Sequence, residues 1–182
     1  MSTGGKIILG LAVGGSFGAL AYWLFKKARK YQTVKTNEKA FDFTDALNMV
    51  KQEEGFRATP YWDNTQWTWG YGTAAGYNKS QKPSGTITQA QATLDALAFL
   101  QNLYTKIGMR LTVPVNHNQM TALLDFGFNL GPGNLNTVLD NINAGYTPQE
   151  TAAEINLYVN SGGVPNDTLI ARRGRESDLY LS

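Results

Sequence analysis

Residues 54–72 read E-G-F-R-A-T-P-Y-W-D-N-T-Q-W-T-W-G-Y-G, and this stretch constrains the fold more than any other. A carboxylate stands beside a glycine. A second carboxylate, Asp63, follows nine positions on, then Thr68 and W-G-Y-G. Upstream, Phe43, Leu47, Val50 and Glu54 have the 4-3-4 spacing of one helix face, and Gly55 supplies a left-handed stop. Downstream, residues 60–73 combine aromatics and threonine with the turn-formers Asp63, Asn64, Gly70 and Gly72, which predicts a β-hairpin or small sheet. Two carboxylates presented by a helix end and a hairpin suit an acid/base pair for glycosidic bond cleavage. The partial negative charge of the helix C-terminus and partial burial both disfavour ionisation of Glu54, which suits a general acid. Asp63 also fits a plain turn residue. Glu53, about 100° round the helix, is expected to be a solvated carboxylate.

The rest of the body reads as helices. Thr88 and Gln91 form a capping box for a helix over 88–106, with a stripe of Leu94, Leu97, Leu100 and Tyr104 (or Ala98 and Gln101). Asn116 and Gln119 form a second box ahead of a nearly apolar helix over 119–130, interrupted only by Asp125 and Asn129. Such a helix should be central. Residues 131–133 break the chain before a short helix over 134–143. Thr147 and Glu150 form a third box, with Pro148 at the first helical position, for a helix over 149–160. Asp167 or Thr168 is expected to cap the last helix, where Arg172, Arg173 and Glu176 fall within one turn as a surface ion network. Residues 74–84 form a loop. The sum is mostly α with a small β-hairpin lobe, a two-lobed α+β domain whose inter-lobe groove is the default ligand site.

Residues 7–25 run nineteen positions without a charge. At ~1.5 Å per residue that helix spans about 28 Å, close to the hydrocarbon thickness of a bilayer. Tyr22 and Trp23 lie near one end, and Lys26, Lys27, Arg29 and Lys30 close the span. These features predict a single transmembrane helix with a basic flank over 1–30, followed by a polar tether over 31–40 and a body over 41–182. A cleaved signal peptide is the alternative offered by Ala19-Leu20-Ala21, but the stronger basic cluster lies on the wrong side for one. A weakly hydrophobic arrest-and-release helix is another. Gly10, Gly14 and Gly18 would line one face and suit helix self-association. The positive flank predicts a body on the cytoplasmic side. Seven of the sixteen Lys/Arg lie in the first forty residues, against Glu38 alone, so the body carries nine basic against thirteen acidic residues. That balance gives no basic surface for nucleic acid. No cysteine is present, which excludes disulfides and thiolate metal sites, and the lone His117 argues against a histidine metal site or a serine–histidine triad.

Four stretches in order resemble the phage-type, T4-like lysozymes, the muramidase endolysin family. They are residues 54–72 above; V-N-H-N-Q-M-T-A-L-L-D-F-G-F-N-L-G at 115–131; N-T-V-L-D-N-I-N-A-G at 136–145; and L-I-A-R-R-G-R-E-S-D-L-Y-L at 169–181. The resemblance covers residues 41–182 and implies a lysozyme-like two-lobed fold. It implies hydrolysis of the β-1,4 bond between N-acetylmuramic acid and N-acetylglucosamine in peptidoglycan, with no metal or organic cofactor. By resemblance Glu54 is the general acid, Asp63 the carboxylate on the opposite face of the sugar, and Thr68 the residue that helps hold the attacking water. Asn129 matches a substrate-contact position. The family's arginine partner of the acid maps onto Arg172, with Arg173 as the alternative.

Two departures stand out. Asp63 and Thr68 are one position closer than in the family, with no glycine in the turn, and Thr73 stands where a histidine is common. A one-residue deletion reverses side-chain faces beyond it unless the turn absorbs the change. Because W-G-Y-G follows in register, the turn is expected to absorb it. The implied protein is a membrane-anchored lytic enzyme of a phage, in a virion membrane or the host inner membrane, acting on the periplasmic wall. A virion vesicle or a released helix would reconcile that with the cytoplasmic topology. The alternative is a weak or inactive wall-binding or structural virion membrane protein.

Overall fold

The computed structural model of the protein describes residues 40–63 and 65–182. The membrane helix over 7–25, its Gly10, Gly14 and Gly18 face and all but the last residue of the tether lie outside the described residues. Among those described, no helix is long and apolar enough to cross a membrane. Phe41–Ser182 is one compact unit.

Helix α1, Thr44–Glu54, buries Ala46 and Val50 and ends at Gly55. Gly55 takes φ 63° and ψ 158°, so the chain does not curl into the expected left-handed cap. It leaves the helix directly into extended backbone, in a region that only glycine visits cheaply. Three antiparallel strands follow as a meander: β1 Arg57–Asp63, β2 Gln66–Gly70 and β3 Thr73–Gly76. The third strand extends the predicted hairpin into what was expected to be loop. The β1–β2 register shifts between Arg57 and Tyr61, around Pro60, which has no N–H to give to a ladder.

Helix α2, Gln89–Arg110, is capped by Thr88, whose side chain accepts from the Gln91 N–H. The Gln91 side chain turns to Asp95 instead of closing the box. Its buried stripe is Ala92, Ala96, Leu100, Leu103 and Ile107, whereas Leu94 is exposed. Small alanines face the sheet because the contact is close. A Cβ on Gly70 would stand 2.9 Å from the Ala92 Cβ.

Helix α3, His117–Asn143, buries every residue from Met120 to Gly127 and occupies the centre as expected. The predicted break is a kink within this helix, at Gly131 (φ 74°) and Pro132. Gly127 lets α2 and the second half of α3 approach; a Cβ there would lie 2.7 Å from Leu135 Cδ2 and 3.0 Å from Leu103 Cδ2. Helix α4, Pro148–Ile155, is shorter than predicted, because a ribbon of β4 Asn160–Ser161 and β5 Val164–Pro165 takes up the following residues. Helix α5, Asp167–Leu181, is capped by Asn166, one residue before the predicted candidates.

Two apolar clusters result. The larger joins the helices around Leu100, Leu123, Leu124, Phe126, Leu139 and Ile155. The smaller, Tyr71, Ile87, Ala92 and Ala96, fastens the sheet to α2, with Leu47, Trp69 and Phe128 at its margin.

Candidate active site

The site forms where the end of α1 meets the sheet. Arg172, on α5 and only 4% exposed, organises it. Its Nε and Nη2 each donate at 2.9 Å to one carboxylate oxygen of Asp125 on α3, which is fully buried. Its Nη1 donates at 2.7 Å to Glu54 Oε1. One planar guanidinium therefore ties together the end of α1, the middle of α3 and the first turns of α5, as the fork geometry of arginine permits. Burial opposes the charge on Arg172, but Asp125 and then Glu54 outweigh it and hold the guanidinium above its ordinary pKa. Of the two arginines that the sequence offered, Arg172 is the one that reaches Glu54.

Glu54 is not enclosed. Its side chain is 24% exposed. Its Oε2 lies 3.8 Å from where a Cβ on Gly72 would stand, and Phe128 borders the same point. Glycine at 72, with φ 92°, keeps the space beside that oxygen clear.

The sheet supplies the other half. Cα pairs Asp63↔Gln66 and Tyr61↔Thr68 put Tyr61, Asp63, Gln66 and Thr68 on one face, with Trp62 and Trp67 on the other. The short connection has thus kept Thr68 on the face of Asp63. Asp63 is exposed at the strand end. Thr68 is 1% exposed, and its hydroxyl has no hydrogen-bond partner among the described residues. Tyr61 links the two carboxylates electrostatically. Burial pushes its phenol up, the Asp63 charge adds to this, Arg57 opposes it and Glu54 adds a further contribution. Arg57 stacks over the Tyr61 ring at 4.4 Å.

Asn129 is half-buried one turn beyond Asp125, and its Oδ1 accepts from Arg173 Nη2 at 3.1 Å. Arg173 also donates to Glu176 Oε1 at 2.7 Å and lies over the Phe126 ring. Arg172, Arg173 and Glu176 are buried and not the surface ion network that their spacing suggested. The helix α5 presents them inward, because helix spacing fixes which residues share a face but not whether that face meets solvent. Glu53 differs from expectation for a related reason. Arg175 crosses to it with two hydrogen bonds, at 2.7 and 2.8 Å, and leaves its side chain 5% exposed.

Residues 51–176 match the family described as phage lysozyme. The chain belongs to the phage lysozyme family. It is 31% identical over 143 residues to the endolysin of Salmonella phage P22, a match covering 76% of this chain and 97% of that relative. It is 30% identical over 141 residues to the endolysin of Bacillus phage B103, covering 75% of this chain and 52% of that endolysin. The chain spans about half the length of the Bacillus phage relatives it matches. Among solved structures it is similar to P22 lysozyme, with a TM-score of 0.64 at 30% identity over 76% of this chain and 97% of that one. The muramidase domain of SpmX from Asticaccaulis excentricus has a TM-score of 0.68, covering 80% and 99%, and at 23% identity shares the fold.

Around Glu54, sequence reasoning missed the contacts that Asp125, Glu176 and Tyr61 make. Asp125 gave a signal: a lone acid within an apolar helix must find a buried partner. Glu176 and Tyr61 gave none that separates them from surface residues.

Proposed function

We propose that the domain hydrolyses peptidoglycan at the β-1,4 bond between N-acetylmuramic acid and N-acetylglucosamine, as a T4-like muramidase. One observation carries the reading. Glu54 stands half-buried at a helix end, fixed by a buried arginine, beside a sheet face that bears a second carboxylate, in a chain of the phage lysozyme family. Glu54 acts as general acid and protonates the leaving glycosidic oxygen. Asp63 activates a water on the opposite side of the sugar, and attack from that side inverts the anomeric centre. Thr68, whose hydroxyl is not used by the fold, orients that water. Arg172 holds Glu54 in place. Asn129, with its carbonyl taken by Arg173, offers its Nδ2 to the sugar.

The full chain acts as a single-pass membrane protein, anchored through residues 7–25, in a virion membrane or the host inner membrane, with its target in the periplasmic wall. The uncharged span and its basic flank support this. Gly10, Gly14 and Gly18 support helix pairing within the bilayer.

Glu54→Gln is expected to cut the release of reducing sugar from purified walls by about 100-fold or more, with the native fold retained by circular dichroism. Retained hydrolysis would sink the mechanism. Wall binding by the wild type with no reducing sugar released would favour a binding protein instead.

A further inference from the structure

The carboxyl of Glu176 is fully buried and has no part in the mechanism above. Its surroundings are unbalanced. Once Glu54 has given up its proton, the cluster holds three acids, Glu54, Asp125 and Glu176, against two bases, Arg172 and Arg173. The neighbouring Glu53–Arg175 pair is self-balanced. An unpaired buried charge is costly enough that such a group takes up a proton instead.

The hydrogen bonds indicate where that proton sits. Both oxygens of Asp125 accept N–H bonds from Arg172. Glu54 Oε1 accepts the third arm of the same guanidinium, and the Glu54 side chain is partly exposed to solvent. Glu176 Oε1 accepts from Arg173 and lies 3.5 Å from Arg172 Nε. Of the carboxylate oxygens in the cluster, Glu176 Oε2 is the one buried without a hydrogen-bond partner among the described residues; Arg173 Nε and Nη1 are likewise without one. A proton on Oε2 turns that oxygen into a donor, and Asp125 is the acceptor within hydrogen-bonding reach.

We propose that Glu176 is a positioning residue for Glu54, a neutral buried carboxylic acid whose O–H bonds to Asp125 and holds the Asp125–Arg172 pair in the orientation that points Glu54 at the cleft. The importance of that orientation rests on the muramidase reading of Glu54; the proton on Glu176 does not. The charged groups facing Glu176 are Arg172 and Arg173 from its own helix and Asp125 from α3. The buried face of α4 presents Thr151, Ala152 and Ile155, none of them charged. Glu54 and Glu53 on α1 connect to the cluster through arginines. Burial and the hydrogen bond with Asp125 push Glu176 up to about 10, against the pull of the arginines. Loss of its proton would place a further anion against Arg172, in competition with Glu54.

The test uses the purified folded protein and its Glu176→Gln variant. Gln keeps a donor for Asp125 and an acceptor for Arg173 but cannot ionise. The infrared difference spectrum between wild type and variant at neutral pH should contain the C=O stretch of a protonated carboxylic acid, since any band from Glu54 is common to both and cancels. Wall hydrolysis by the wild type should fall as pH rises toward about 10 while circular dichroism stays native. The variant should retain neutral-pH activity and lose less on the alkaline side. A difference spectrum without an acid band, or identical alkaline profiles, would overturn the proposal. The infrared result stands even for a protein without hydrolase activity, so failure of the enzymatic reading and failure of this inference are distinguishable.

Discussion

The two carboxylates of the cleft are held in opposite ways. Glu54 comes from the helical side, where a guanidinium buried among three helices grips one of its oxygens and leaves the other for the cleft. Asp63 comes from the sheet side, where it stands exposed at a strand end, next to a threonine whose hydroxyl the protein does not use. The contrast fits the two roles proposed for them, proton donor for Glu54 and water activation for Asp63. A proton donor must hold one geometry against one oxygen, so its support is over-determined. A group that works through water needs access and tolerates looser anchoring. The charged anchoring of the site is thus concentrated on the side of Glu54, while the sheet-side carboxylate stands exposed.

Breaking the clamp should have the largest effect. Arg172→Met leaves Asp125 as an uncompensated buried anion, for which about 3–5 kcal/mol is expected. Urea unfolding measures this, and a loss comparable to a surface substitution would contradict the clamp. Asp63→Asn, by the same comparison, should leave the unfolding free energy unchanged within about 0.5 kcal/mol while hydrolysis collapses.

Acidity gives the next effect. Glu176 is raised from an unfolded value near 4.5 to about 10, so between these values the folded state holds a proton that the unfolded state has released. Its contribution to stability is complete below the unfolded value and is lost as pH rises toward about 10, by at most about 1.4 kcal/mol per pH unit. Unfolding titrations of wild type and Glu176→Gln should differ in slope across that window, the variant being flatter.

Thr68→Val should be smaller and of opposite sign in its two readouts. Removing a buried hydroxyl without a partner is expected to leave stability unchanged or raise it by up to about 1 kcal/mol. Wall hydrolysis should fall. A destabilised variant would mean that the fold depends on the hydroxyl after all. The weakest effect belongs to the exposed Arg110–Asp140 pair, which joins α2 to α3 far from the cleft. A double-mutant cycle should return about 0.2–1 kcal/mol.

Much of the scaffold was legible in the chain because it is written in local chemistry. The boxes at Asn116 and Thr147 form as their spacing predicts, since a cap involves residues three apart. The apolar run around Leu123 and Leu124 goes to the centre because nothing polar except Asp125 and Asn129 opposes it. Where local signals were symmetric, the reading failed. Leu94 and Ala92 both fit a helical stripe on α2, and the alanine faces inward because Gly70 brings the sheet too close for leucine. The inward face of α5 was invisible for the same reason: Arg172, Arg173 and Glu176 look like any exposed ion network until Asp125 and Glu54 are known to lie opposite.

The stretch from Glu54 to Gly72 separates the two kinds of information. The sequence by itself determined that a helix ends at a carboxylate, that aromatic strands follow, and that a second carboxylate sits where the first of them gives way to the turn. Those facts depend on neighbours within a few residues. Only the tertiary structure decided that Thr68 shares the face of Asp63, that Arg172 and not Arg173 holds Glu54, and that Asp125 and Glu176 stand behind that grip. These depend on strand register and on contacts 47 to 118 residues apart, which no local periodicity encodes.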